Sequence, residues 1–152
     1  LQPYDMKYLD GKLLIQDKNN VLADKYETVT KVKPSKEQLR DMEFGMKIVK
    51  NMKSNAIVIV KDGQTLASGC GQTSRIWALK NALENNKDKD FKGAVLASDA
   101  FFPFDDCVTL ANEYGIRAVV QPGGSIKDQD SIDACDKYEM TMVFTGTRHF
   151  KH

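Results

Sequence analysis

Ala56-Ile57-Val58-Ile59-Val60-Lys61-Asp62-Gly63-Gln64-Thr65 decides the fold of this chain. The apolar run Ala56 to Val60 is short and rich in β-branched residues. Periodicity alone does not separate such a run from buried helix, but its length and composition favour an interior strand. Asp62-Gly63 follows directly and is a strong two-residue hairpin signal, so Thr65 to Cys70 is expected to return antiparallel to the first strand. On the N-terminal side, Ser35 and Gln38 match a capping box with Pro34 just outside it. Leu39, Met42, Met46 and Val49 then recur at helical spacing. On the C-terminal side, Gly69 and Gly71 lead into a stretch from Thr73 to about Asn86 with Ile76, Leu79 and Leu83 on one helical face and Trp77 beside them. Strand and helix then alternate. Ala94-Val95-Leu96-Ala97 precedes a helix from about Asp105 to Tyr114 that Gly115 stops, and Ala118-Val119-Val120 follows. Pro122-Gly123-Gly124 turns the chain, Ser125 and Asp128 read as a second capping box, and a helix to about Tyr138 leads into Met142-Val143-Phe144. This order predicts an α/β fold, a three-layer α/β/α domain around a mixed sheet.

Residues 1–35 are polar. Their one short apolar run, Leu13-Leu14-Ile15, stops at the turn-prone Asp17-Lys18-Asn19-Asn20, which reads as an extended lead-in with room for one strand. Residues 36–152 hold the alternating pattern and form the expected domain. The chain is long enough for one core; a second would leave both thin. The first residue is Leu1 rather than Met, which reads as a piece of a longer protein.

The charges nearly cancel, with 22 Lys and Arg against 21 Asp and Glu, so no field of one sign attracts nucleic acid or an anionic membrane. An anionic ligand must therefore be held by local groups. Cys70, Cys107 and Cys135 are odd in number and lack a C-x-x-C spacing, which argues against a disulfide scaffold and a zinc ribbon. This usage fits a reducing cytoplasm. No apolar run approaches the roughly 18 residues of a membrane span.

Strand ends and helix starts are where open α/β sheets place ligands, and four segments lie there. Lys53-Ser54-Asn55 precedes the first core strand; the Asn55 carboxamide offers both donors and an acceptor, although asparagine before a strand is also an ordinary turn former. Ser98 to Asp106 carries Phe101, Phe102, Pro103 and Phe104 between a strand and a helix, suited to wall a flat heteroaromatic ligand with Asp106 at its ring nitrogens. Core packing with an aspartate helix cap accounts for the same residues. Gln121-Pro122-Gly123-Gly124-Ser125 opens a helix and has the makings of an anion site, yet it lacks a nucleotide fingerprint, and a plain tight turn explains it more simply. The tail Arg148-His149-Phe150-Lys151-His152 offers a guanidinium for a phosphate and an imidazole for a proton relay, unless it is simply solvated. Pro103 to Cys107 has the outline of the P-C-x-x-C start used by zinc deaminases, but Phe104 occupies the first ligand position and no H-x-E precedes it. One cysteine cannot hold a catalytic zinc, so no metal is expected.

Lys53 to Val58, Lys61 to Thr65, Gly69 to Arg75, Ala97 to Phe104, Gln121 to Ile126 and the ending Arg148 to His152 occur together and in order. Jointly they resemble the C-terminal region of the bifunctional purine-biosynthesis family. That family combines aminoimidazole carboxamide ribonucleotide (AICAR) transformylase with inosine monophosphate (IMP) cyclohydrolase. The resemblance spans essentially the whole chain and implies the second of two cytidine-deaminase-like subdomains that lack zinc. It implies transfer of a formyl group from the co-substrate formyltetrahydrofolate to AICAR in IMP biosynthesis. Asn55 matches the residue that orients the reacting groups and steadies the oxyanion, and His152 matches a terminal histidine that supports the catalytic base. Phe101 matches the aromatic residue beside the AICAR base, Arg148 and Phe150 the residues at its phosphate, and Pro103, Phe104 and Asp106 the folate wall. A homodimeric cytoplasmic parent is implied, with neither nucleic acid nor membrane as a partner. The family's Lys-His pair, with its Pro-Cys-Gly context, does not occur here, nor does the cyclohydrolase domain. Cys70 also stands where a small residue is common. The expected fragment is therefore inactive by itself. The competing readings are a non-catalytic nucleotide-binding or scaffold domain with a degenerate deaminase-like fold, and a true zinc deaminase.

Overall fold

The computed structural model describes residues 3–151. Strands β1 (Tyr4–Leu9), β2 (Lys12–Asp17) and β3 (Glu27–Thr28) precede helix α1 (Lys36–Val49). Strands β4 (Ile57–Lys61) and β5 (Gln64–Gly69) follow, then α2 (Arg75–Glu84), β6 (Val95–Ser98), α3 (Asp106–Glu113), β7 (Ala118–Gln121), α4 (Asp128–Lys137) and β8 (Thr141–Phe144). The main sheet has six strands in the order β3-β8-β7-β6-β4-β5. The β6-β7 and β7-β8 pairs are parallel, and the β3-β8, β4-β6 and β4-β5 pairs are antiparallel. This is the expected three-layer arrangement on a mixed sheet.

The alternation within β4 explains the layers. Val58 and Val60 pack on α1 through Met42, Met46 and Val49. Ile57 and Ile59 face the opposite way, into a cluster with Leu79 of α2, Val108 of α3 and Cys135 of α4. A strand buried on both faces needs apolar residues at both parities, which is why the run is continuous. The Asp62-Gly63 turn forms as expected, with both residues at positive φ (52° and 71°), as a type I′ hairpin requires. The buried Asp41 of α1 accepts the backbone N–H groups of Asp62 (2.9 Å) and Gly63 (2.8 Å), tying the turn to the helix layer. Gly69 lets α2 approach closely: a Cβ there would lie 2.0 Å from the Ala78 carbonyl oxygen.

The capping box at Ser35 is present, with Ser35 and Gln38 each bonding the other's backbone N–H. The second one is not. Asp128 instead accepts from Gly124 N–H (2.6 Å), and Ser125 Oγ accepts from Lys127 N–H (3.1 Å), so both close the preceding turn. The lead-in also differs from expectation. Leu13 to Ile15 lies in β2, but β1 pairs with it in a separate two-stranded sheet, and β3 adds an edge to the main one. Trp77 and Leu39 are exposed rather than core.

Candidate active site

The C-terminal end of β6, the residues preceding β4 and the chain's tail meet at Asp99. Burying a carboxylate demands compensation, and here every oxygen has a donor. Asp99 Oδ2 accepts from Ser54 Oγ (2.6 Å), and Oδ1 accepts from Ala56 N–H (3.2 Å) and pairs with Nη1 of the buried Arg75. Arg75 is the first residue of α2, so the turn after Gly71 and the Ser74 cap aim its side chain back beneath β4. Its Nη1 also donates to the Ala56 carbonyl (3.1 Å), and its Nη2 donates to Asn55 Oδ1 (3.0 Å). Among the described residues, Arg75 Nε is buried without a partner.

Asn55 is thereby fixed at both ends. Its oxygen is held by the guanidinium, and its Nδ2 donates to the Gln72 carbonyl (3.0 Å). A carboxamide nitrogen carries two N–H groups, so one donor of this partly exposed side chain has no partner among the described residues. The tail closes over the same place. His149 N–H donates to the Asp99 carbonyl (2.8 Å), and Ser54 and Lys151 exchange bonds: Ser54 N–H to Lys151 O at 2.9 Å and Lys151 N–H to Ser54 Oγ at 3.0 Å. The exposed Arg148 guanidinium lies 5.3 Å from the Phe150 ring centroid. Phe101, half-buried, follows Asp99 by two residues.

Asn55, Phe101, Arg148 and Phe150 thus sit on segments joined through Asp99 and Ser54. Pro103 and Phe104 lie farther along the same loop and are exposed. Lys127 Nζ stands 4.9 Å over the Phe104 ring. Asp106, half-buried, accepts from Cys107 N–H (2.8 Å) and borders a shallow groove with Ile76 and Thr109. In the turn at 121–125, Gln121 Oε1 takes the Gly123 N–H (2.9 Å) and Asp128 takes the Gly124 N–H, so both glycine donors are used internally. His152 lies outside the described residues. The sequence reading did not single out Arg75, Asp99 or Ser54. The legible signal is a lone aspartate between small residues at the end of a buried strand, which requires a cation, with an arginine opening the neighbouring helix.

Burial pushes the Cys135 thiol up to about 12, with Asp136 adding to it, and burial likewise raises Cys107, next to Asp106. Both are unreactive as thiolates near neutral pH. Among the described residues, no group of three or more His, Cys, Asp or Glu is placed to hold a metal ion.

His149 is buried and neutral. Its Nε2 donates to the Leu22 carbonyl (2.9 Å), which leaves Nδ1 to accept from the Asn19 amide (2.8 Å). Burial holds its pKa below the ordinary 6.5, with Lys50 adding to the effect and the Leu22 carbonyl and Asp99 opposing it. The unfolded chain therefore takes up this proton first as pH falls. The contribution is fully present above about pH 6.5 and is lost on acidification toward the depressed folded value. His149→Gln, which keeps a donor and an acceptor, is expected to flatten this acid limb. The check is the urea midpoint of both proteins between about pH 5 and 8; parallel curves would contradict it.

Residues 1–85 match the family model described as the AICARFT/IMPCHase bienzyme. The chain belongs to this family. It is 84% identical over 152 residues to the bifunctional purine biosynthesis protein PurH of Clostridioides difficile (strain 630), covering all of this chain and 30% of that protein. It is 57% identical over 147 residues to the protein of the same name from Clostridium perfringens (strain SM101 / Type A), covering 97% of this chain and 28% of that one. The chain thus spans about 30% of the length of these AICARFT/IMPCHase relatives. Among solved structures, it resembles the dCMP deaminase of cyanophage S-TIM5 in complex with dCMP and dUMP. That match has a TM-score of 0.50 and 19% identity over 72% of this chain and 98% of the deaminase, a likeness of fold. No helix among the described residues is long and apolar enough to cross a membrane.

Proposed function

We propose that this chain is the C-terminal part of the transformylase half of its bifunctional family, and that it supplies one side of a site where formyltetrahydrofolate formylates AICAR. The observation that carries the reading is the Asn55 carboxamide, locked between Arg75 and the Gln72 carbonyl with one donor to spare. An aromatic amine is a poor nucleophile. As its nitrogen attacks the formyl carbon, charge grows on the formyl oxygen, and a donor already fixed in place stabilises that charge without reorganising. The amine must lose a proton, and the departing folate nitrogen must gain one.

In this reading Phe101 flanks the AICAR base, and Arg148 and Phe150 receive its phosphate. Pro103, Phe104 and Asp106 form the folate wall, and His152 supports the base. The exposed Phe104 ring and the groove beside Asp106 suit a flat heteroaromatic ligand. Residues 36–152 make up the second deaminase-like subdomain, with β3 of the lead-in added at the edge of its sheet, and residues 1–35 lead in from the first subdomain, which brings the Lys-His pair. The parent is a homodimeric cytoplasmic enzyme.

The test compares formyl transfer by this 152-residue chain and by the full-length polypeptide. Full-length protein is expected to turn over AICAR and formyltetrahydrofolate, and the chain alone is not. Equal rates would refute the incomplete site. A full-length protein whose titration calorimetry detects AICAR but not folate would favour the scaffold reading.

A further inference from the structure

The lead-in does more than precede the domain, because it grips the tail along its length. The Asp24 and Lys25 N–H groups both reach the Thr145 carbonyl (3.0 and 3.3 Å), the Leu22 carbonyl accepts from the His149 ring (2.9 Å), and Gln16 Nε2 donates to the Phe150 carbonyl (2.6 Å). The backbone of His149 and Lys151 bonds residues 99 and 54, whereas that of Phe150 bonds the lead-in, the alternation expected of extended chain. Successive side chains of extended chain point to opposite faces. Arg148 is exposed, with its guanidinium 5.3 Å from the Phe150 ring centroid, and His149 between them is fully buried. The tail therefore presents Arg148 and Phe150 together and is anchored by the histidine.

An imidazole is a demanding filler for that anchor. Burying it requires a partner at each nitrogen, which a leucine or methionine of similar bulk would not need. Both partners come from the lead-in: the Leu22 carbonyl takes the Nε2 proton, and the Asn19 amide donates to Nδ1 (2.8 Å). Two directional bonds fix the ring's rotation and depth, where apolar contacts alone would leave the tail free to slide or roll. The His149 N–H adds a bond to the Asp99 carbonyl (2.8 Å), so the same residue ties the lead-in and the tail to the junction that holds Asn55.

We infer that His149 is a positioning residue of the nucleotide site, and that Asn19 and Leu22 of the lead-in act through it to fix Arg148 and Phe150. The inference rests on the formyl-transfer reading, in which those two residues receive the AICAR phosphate. A guanidinium holds a phosphate through short, directional, charge-assisted bonds, so a tail displaced by about 1 Å weakens the phosphate contact far more than contacts to the base. The phosphate is remote from the reacting amine and is bound alike in the ground and transition states. Loss of the anchor therefore raises KM for AICAR and leaves kcat nearly unchanged.

Titration calorimetry of the full-length polypeptide with AICAR and with its nucleoside, which lacks the phosphate, tests the inference alongside steady-state kinetics. His149→Ala is expected to weaken AICAR and raise its KM about tenfold, while nucleoside affinity and kcat change less than about twofold. His149→Gln, which restores a donor and an acceptor, is expected to lie near wild type. Asn19→Leu is expected to shift AICAR in the same direction by a smaller factor, and it decides the matter if His149→Ala melts early. AICAR and nucleoside weakened by one common factor, or kcat lowered at unchanged KM, would overturn the inference; His149→Gln as weak as His149→Ala would overturn the role of the two ring bonds. Arg148→Met separates the two ways of failing, since it should abolish the preference for AICAR over the nucleoside. If it does so while the His149 and Asn19 variants keep that preference, His149 positions nothing. If Arg148→Met itself keeps the preference, the phosphate lies elsewhere and the reading beneath the inference fails with it.

Discussion

Asn55→Ala in the full-length polypeptide is expected to lower kcat for formyl transfer by about 10²- to 10³-fold, the usual cost of losing one preorganised oxyanion donor. KM for AICAR should move far less. The asymmetry follows from when the bond matters: the formyl oxygen carries little charge in the ground state, so the donor contributes mainly as the tetrahedral centre forms. An interaction made chiefly in the transition state lowers kcat and kcat/KM together. Steady-state kinetics of both proteins measures the two constants. A variant with wild-type kcat and raised KM would show that Asn55 only holds the ground state. Asn55→Asp separates the donor from mere bulk. It keeps the shape and the acceptor toward Arg75 Nη2, but it removes the N–H and adds a negative charge beside the growing oxyanion. It is expected to be at least as slow as the alanine variant.

Much of this architecture was legible because local signals agreed with the burial pattern. The Asp62-Gly63 hairpin and the Ser35 box each turn on residues adjacent or three apart in sequence, and both are present. The hairpin that was missed carried the same kind of signal. Asp10-Gly11 joins β1 to β2 with both residues at positive φ, and Met6 and Tyr8 face Ile15 and Leu13 across the pair. The apolar run Leu13 to Ile15 marked the second strand, but both strands are exposed, so no alternation of buried and polar positions marked the first as its partner. The second capping box failed for the opposite reason. Ser125 and Asp128 have the right spacing, but spacing does not say which N–H each oxygen will meet, and the tight turn at Gly123-Gly124 presented other donors first.

At the candidate site, legibility divides along the same line. Asn55, Phe101 and the tail residues stood out through their chemistry and their place at strand ends. What joins them did not. Arg75 and Asp99 are 24 residues apart, on a helix start and a strand end, and their pairing is a tertiary fact. Only the packed sheet brings the guanidinium under β4, where it touches a carboxylate, a backbone carbonyl and a carboxamide at once.

That junction yields the largest expected loss of stability. Arg75→Met keeps the length and apolar character of the side chain but leaves the fully buried Asp99 carboxylate without its cation, and removing one partner of a buried pair costs about 3–5 kcal/mol. Domains of this size are stable by about 5–15 kcal/mol, so the variant is expected to lose a large part of its stability and to melt well below wild type. Asp99→Asn should cost less than Arg75→Met. The amide retains an oxygen for Ala56 N–H or Ser54, and the arginine it leaves behind still bonds the Ala56 carbonyl and Asn55. The double variant Arg75→Met with Asp99→Asn removes both charges and is expected to be more stable than Arg75→Met alone, a coupling that urea unfolding of the four proteins measures directly. If the two losses simply add, the pair is not coupled, and the account of Asn55 as a donor held in place through Arg75 loses its foundation. Strong coupling in stability, together with a kcat defect for Arg75→Met in the full-length enzyme at temperatures where it stays folded, is the result expected if one buried ion pair serves both the fold and the placement of that amide.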